Sequence, residues 1–265
     1  MKRHQFHLVD FSSWPFIASF GATNFVICMV LFMQHAKNSG YLFFLSLFFL
    51  IVCMFGWWRD VIREGSYLGD HTEVVQVGLK MGFILFMLSE LMVFFGLFWS
   101  FGHYSLSASV ELGGVWPPVN VVPLSAYGIP LYNTLILLWS GFALTASHIS
   151  IRMALKEETL LFLGLTVVLG LLFVSLQVYE YLTAPFNISD SVFGSIFYGL
   201  TGLHGLHVMV GVIFLSVCYY RIYAGQINQA QHLGFDFAVW YWHFVDVVWI
   251  FVFFYVYIWG GWLAI

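Results

Sequence analysis

Charge is what this sequence has least of. Lys, Arg, Asp and Glu together supply 8% of its 265 residues, against roughly a quarter in an ordinary soluble domain. Hydrophobic residues supply 61% and the mean hydropathy is +0.89. A water-soluble fold cannot hide that much apolar surface. The formal net charge of −4 is spread thinly along the chain, so there is neither a nucleic-acid footprint nor a charged tail. Cysteine is scarce as well. Cys28, Cys53 and Cys218 each sit in an apolar stretch, in no CxxC or Cys/His spacing that would hold zinc or an iron–sulfur cluster, and they read as buried apolar side chains. The P-loop, GxGxxG, GxSxG and HExxH patterns are all missing, so nucleotide, hydrolase and zinc-protease chemistry is not signalled. The first residues, MKRHQFHLVDFSSWP, carry neither the short apolar core of a secretory signal nor the Arg- and Ser-rich pattern of a transit peptide. If the protein belongs to an organelle, it is expected to be made there, as thirty phenylalanines would suit in an AT-rich genome.

What is present is a succession of long apolar runs. A spanning helix needs roughly 20 such residues, because a rise of ~1.5 Å per residue must cover a hydrocarbon core of ~30 Å. Seven segments qualify, at about 15–34, 41–58, 78–103, 129–151, 159–182, 190–220 and 238–260. The expected fold is therefore all-α, a polytopic membrane bundle of seven transmembrane helices forming a single domain over 1–265. Its polar link at 59–77 suggests a split into helices 1–2 (residues 1–70) and helices 3–7 (residues 71–265), with a groove between them. With seven spans, Lys2, Arg3, Arg59, Arg63, Lys80, Arg152, Lys156 and Arg221 fall on one side and Lys37 alone on the other. That eight-to-one bias places the amino terminus on the electrically negative side. The long connection at about 104–128 contains Trp116-Pro117-Pro118, which excludes continuous helix.

Few residues carry chemistry. Glu90 lies near the middle of the third span, and Phe86, Met87, Val93 and Phe94, one turn away, offer it nothing. An intramembrane carboxyl needs either a proton or a partner on another helix. It is a candidate for proton handling and equally for a single interhelical hydrogen bond. His204 and His207 stand at i and i+3 in the sixth span, on nearly one face; the spacing could ligate haem or copper, but without a matching pair elsewhere it reads rather as a buried polar knot packed close by Gly202, Gly205 and Gly211. His243 and Asp246 repeat the spacing in the seventh span, as a proton-handling pair or a self-satisfied structural one. Trp57 and Trp58 suit the headgroup boundary. Arg59 and Arg63, one turn apart, can reach a lipid phosphate together, and Asp60 can pair with Arg63. Arg221 ends the sixth span on the same side. Ser189 and Asp190 read as the cap of the sixth helix, and Glu180, between Tyr179 and Tyr181 near the outer interface where ionised carboxyls can reach water, reads as structural. A proton channel or small transporter using Glu90, His207 and Asp246 as a relay is a second reading, against which the absence of an internal repeat argues.

The motifs WWRDVIRE (57–64), ILFMLSE (84–90), ELGGVWPP (111–118), NTLILL (133–138), FNISDSVFGSIFYGLTGLHGLHVMVG (186–211) and FAVWYWHFVDVVWIFVFFYVYIWGG (237–261) resemble subunit III of cytochrome c oxidase, mitochondrial type. The likeness runs from HLVDFSSWPF at residue 7 almost to the carboxyl end. It implies a non-catalytic core subunit of a proton-pumping oxidoreductase, the respiratory complex IV of the mitochondrial inner membrane, with the amino terminus in the matrix and the carboxyl terminus in the intermembrane space. It implies no cofactor in this chain beyond bound phospholipids, with haem and copper held by partner subunits. The implied partners are the catalytic subunit I, subunit II, accessory subunits and membrane phospholipids. The lipids would lie in a V-shaped cleft between helices 1–2 and helices 3–7, and proton uptake would be supported. Carried over residue by residue, the intramembrane glutamate is Glu90, and the lipid-facing residues are Trp58, Arg59, Arg63, Glu64, His71 and Arg221; His204, His207, His243 and Asp246 match family positions with no assigned chemistry. The chain departs from the pattern at Ser147-His148-Ile149, where paired histidines are usual, at Gln231-His232-Leu233-Gly234-Phe235-Asp236, where HHxGFE is common, and at Asp70-His71, which replaces His-His.

Overall fold

The computed structural model describes residues 5–110, 113–119 and 121–262. Lys2 and Arg3, from the basic side of the charge count, and Glu111 and Leu112, from the ELGGVWPP motif, lie outside the described residues. Seven helices among the described residues are long and apolar enough to cross a membrane: α1 (Trp14–Met33), α2 (Ser39–Arg63), α3 (Glu73–Leu106), α4 (Ile129–Arg152), α5 (Lys156–Thr183), α6 (Val192–Tyr223) and α7 (Leu233–Val252). A π-helical turn, Glu64–Leu68, prolongs α2, and another, Phe253–Trp259, prolongs α7. Helix is the form hydrocarbon imposes, because each backbone N–H and C=O must be satisfied within its own segment.

The helices overrun the apolar segments that announced them. The polar stretch after residue 58 was expected to be a link, yet Arg59–Arg63 continue α2 and the turn runs to Leu68. Arg, Glu and Asp tolerate helix well enough once the chain leaves hydrocarbon, and the helix stops at Gly69, whose φ of 67° only glycine adopts at little cost. The cap of α6 is Ser191, whose Oγ accepts from the Gly194 N–H at 3.5 Å. Asp190, one residue earlier, instead accepts from the Asn187 N–H at 2.6 Å, so it braces the preceding turn rather than capping the helix.

The chain divides into two compact units, Met1–Leu79 and Lys80–Ile265. In the first, α1 and α2 form an antiparallel hairpin. Pro15 opens α1, where its missing N–H costs nothing, and His35 and Asn38 take positive φ to turn the chain. Phe32 stacks on Phe43 at 5.3 Å. Gly21 lets Phe49 approach, and Trp14 lies against Gly56 while its indole N–H donates to Asp60 at 2.7 Å.

In the second unit, α4 and α5 form a hairpin, α6 packs on α5, and α7 packs on α4 and α6. At its centre is Trp242, which is fully buried. Its indole N–H donates to Ser140 Oγ of α4 at 2.9 Å. A Cβ added to Gly170 of α5 would lie 2.6 Å from the Trp242 ring, and one added to Gly211 of α6 would lie 2.9 Å from it. Trp249, two turns on, repeats the device: its N–H donates to Thr134 of α4 at 3.0 Å and its ring meets Phe173 of α5 edge-on at 4.8 Å. The long connection is seated by Trp116, which contacts Phe101 and Phe193 at 5.5 and 5.4 Å. Helix α3 uses one stripe, Phe83, Phe94, Phe98 and Phe101, against Phe237, Phe244, Phe251 and Trp259 of the last helix. Leu91, Met92, Phe95 and Trp99 remain exposed.

Replacing Gly170 with Val forces a branched side chain into a rigid indole. Overpacking of this kind costs about 1–3 kcal/mol. Gly199, also in α6, has nothing within 4 Å of an added Cβ. Thermal unfolding of the purified protein in lipid nanodiscs is expected to fall sharply for Gly170→Val and to stay level or rise for Gly199→Ala.

Candidate functional site

Glu90 has an answering partner. His207 of α6 places Nε2 3.0 Å from Glu90 Oε2, and its Nδ1 lies 2.8 Å from the Leu203 carbonyl. A carbonyl only accepts, so Nδ1 carries hydrogen and donates to it. The other contact then holds a single proton between imidazole and carboxyl. Phe94 lies 5.1 Å from the imidazole and Tyr241 stacks on it at 6.2 Å, which fixes the ring plane. Sequence spacing showed that Glu90 lacked a partner on its own helix; it could not name a residue 117 positions away.

The shared face expected of His204 and His207 dissolves into two separate environments. His204 is fully buried between Phe173 and Trp249, with ring centroids at 5.6 and 5.0 Å, and its Nε2 donates to the Val245 carbonyl at 3.2 Å. His207 is committed to Leu203 and Glu90. Both rings meet α7, but His204 is enclosed with α5 at Phe173 and His207 with α3 at Glu90 and Phe94.

His243 and Asp246 do stay together, Nδ1 to Oδ2, at 3.8 Å. That distance is an ion-pair approach and too long for a hydrogen bond. His243 Nε2 also lies 3.4 Å from Thr145 Oγ1 of α4. Asp246 is buried, and a Cβ on Gly141 would come within 2.9 Å of its Oδ2, so α4 passes the carboxyl with bare backbone.

In the first unit, Trp58 is 58% exposed and Arg63 is exposed one helical turn beyond Arg59. Asp60 is not the partner of Arg63. Its Oδ1 is held by Arg59 Nη2 at 2.9 Å, with Trp14 on its other oxygen. Glu64 Oε2 and Asp70 Oδ2 lie 3.9 and 3.8 Å from His7 Nε2, and the ring of His7 meets that of His71 edge-on at 6.0 Å. His7 was not singled out by sequence, since a polar residue before the first span carries no periodic signal. In the second unit, Arg221 faces the first turn of α7, close enough that a Cβ on Gly234 would meet its Nη1 at 2.9 Å.

Glu180 is structural, as expected, but the interfacial access to water expected for it is not there. It is buried instead. Tyr257 OH donates to Oε1 at 2.5 Å, Gln177 Nε2 donates to the same oxygen at 3.3 Å, and Asn133 Nδ2 donates to Gln177 Oε1 at 3.4 Å. The network ties α4, α5 and the end of the last helix together. The i, i+3 pair Gln177 and Glu180 was the only local hint of it.

The fold and these pairs define a polytopic helical membrane protein whose intramembrane acids and imidazoles are matched mainly to one another. Among known families, the one described as Cytochrome c oxidase subunit III matches residues 4–261. The chain is 49% identical to cytochrome c oxidase subunit 3 of Triticum aestivum, covering 98% of each chain. It is 48% identical to that of Chondrus crispus, over 98% of this chain and 96% of the other, and 47% identical to that of Drosophila yakuba, over 98% of each. The chain belongs to the cytochrome c oxidase subunit III family.

Interhelical hydrogen bonds in membranes contribute about 0.6–2 kcal/mol. A double-mutant cycle of Glu90→Leu and His207→Leu, read by detergent-driven unfolding, is expected to return a coupling in that range. Strict additivity would mean that the two side chains do not bond.

Proposed function

We propose that this chain acts as the non-redox flank of cytochrome c oxidase in the mitochondrial inner membrane, holding phospholipid beside the catalytic subunit I and supporting proton uptake there. As a family member it is a subunit of an oxidoreductase complex. The amino terminus faces the matrix in this reading and the carboxyl terminus the intermembrane space, following the basic residues. Subunit I is the main contact, with subunit II and accessory subunits beyond it.

The observation that carries the lipid role is the end of α2. There an exposed indole, Trp58, and two exposed guanidiniums, Arg59 and Arg63, lie within two turns. Arg59 is steadied by Asp60 at 2.9 Å, and a steadied guanidinium loses less freedom when it grips a phosphate. Glu64 and His71 would add polar contacts to a headgroup, and Arg221 would offer a cation at the end of α6. Support for proton uptake rests on the Glu90–His207 pair, which holds one exchangeable proton inside the bundle. The partners taken up by His204 and His207 favour a chain without haem or copper of its own.

Arg63→Ala in the assembled oxidase is expected to lower the phospholipid retained per complex, counted by native mass spectrometry, and to hasten loss of activity during turnover. Unchanged lipid stoichiometry and turnover lifetime would overturn the lipid reading. A stoichiometric haem in the chain purified alone would overturn the non-redox one.

A further inference from the structure

Three side chains outside the pairs described above converge where α4 ends and α7 begins. His148 Nε2 lies 2.9 Å from Asp236 Oδ1, His232 Nε2 lies 3.7 Å from the same oxygen, and the three ligand atoms fall within 4.8 Å of one another. Each of the three side chains is 17–18% exposed, shielded but within reach of water. From this geometry we infer that His148, His232 and Asp236 form a binding site for a divalent transition metal of zinc type.

Four observations carry the inference. First, the side chain of His232 makes no hydrogen bond among the described residues: its Nε2 stops 3.7 Å from Asp236, and its buried Nδ1 has no partner. A histidine that only completed a polar knot would close that gap. Second, two donors on one tetrahedral zinc are about 3.4 Å apart, given Zn–N and Zn–O bonds near 2.0–2.1 Å. The separations of 2.9 and 3.7 Å bracket that value, and the third, between the two histidines, is no more than 4.8 Å, so side-chain adjustment seats the ion. Third, two imidazoles and one carboxylate select zinc over magnesium or calcium, which prefer oxygen alone. Three protein ligands leave the fourth position to water.

Fourth, the ligands sit on ordered supports. His148 is in the last turns of α4, whose C-terminal dipole favours a cation, and its ring packs on Phe235 at 5.9 Å. The loop carrying His232 is braced by Asn228 Oδ1, which accepts from the Ala230 and Gln231 N–H groups at 3.0 and 2.9 Å, and Gln229 Nε2 ties it to the Arg152 carbonyl at 2.7 Å. The metal would clamp the end of α4 to the start of α7.

The test uses the assembled oxidase, stripped with a chelator and titrated with zinc chloride. Bound zinc is counted by mass spectrometry, with haem spectra confirming assembly. The wild-type complex is expected to bind one zinc more than the His232→Phe complex, which keeps the His148–Asp236 hydrogen bond. Asp236→Asn, which keeps a hydrogen-bond acceptor but drops the charge, is expected to weaken that zinc at least tenfold, and Asp236→Glu to retain it. Equal zinc stoichiometry and affinity in the wild-type and His232→Phe complexes would overturn the site. So would an anomalous difference map of the zinc-saturated wild-type complex with no peak between the three side chains, a reading that requires no variant to fold.

Discussion

The second unit depends on the contact between one large ring and bare backbone. Lipid tails are as apolar as leucine, so burying Trp242 away from them yields little hydrophobic gain, and helix association must come from close packing and matched hydrogen bonds. Gly170 and Gly211 let α5 and α6 come up to the indole, and Ser140 on α4 takes its N–H. Four helices meet on one residue. Trp249 repeats the arrangement two turns on, with Thr134 as acceptor and the ring of Phe173 across it. α4 to α7 are thereby held in register along their length, and the polar groups they carry acquire fixed partners.

Those polar groups follow from the same constraint. An acid or imidazole in hydrocarbon must be answered, and other helices supply an answer in each case: Glu90 from His207, Glu180 from Tyr257 with Gln177 of its own helix beside it, His204 from the Val245 carbonyl. Each bond is directional, so each also specifies how far one helix is turned toward the next. Asp246 is placed by Gly141 as much as by His243, because only a residue without a side chain lets α4 pass so close to a carboxyl. The pairing of these groups is local, each held by one or two neighbouring donors or acceptors.

The helix ends work differently. There water and headgroups compete for polar side chains, and the residues that matter are exposed or half-buried. α2 carries its arginines past the apolar segment because helix continues to be favourable outside hydrocarbon, and Asp60 gathers Trp14 and Arg59 into one knot. At the junction of α4 and α7, two histidines and an aspartate converge without satisfying one another fully. Incomplete matching at a shielded, water-accessible place is what separates a ligand site from the closed pairs of the bundle.

Composition and run length by themselves determined that the chain is a seven-span helical membrane protein, because hydrocarbon leaves the backbone no other form. Long motifs such as FAVWYWHFVDVVW carried the family, and the isolation of Glu90 was plain from its own helical neighbours. Sequence could not say which faces turn inward: the exposed Leu91, Met92 and Phe95 are as apolar as the buried Phe94, so hydrophobic periodicity falls silent in such helices. For the same reason the partners of Glu180, of Asp60 and of His204 and His207 could not be read from spacing along one helix. Only the tertiary structure decided those partners, which lie up to 117 residues apart, because in lipid the pairing of polar groups is set by how closely helices can approach, and that is fixed by where the glycines of one meet the rings of another.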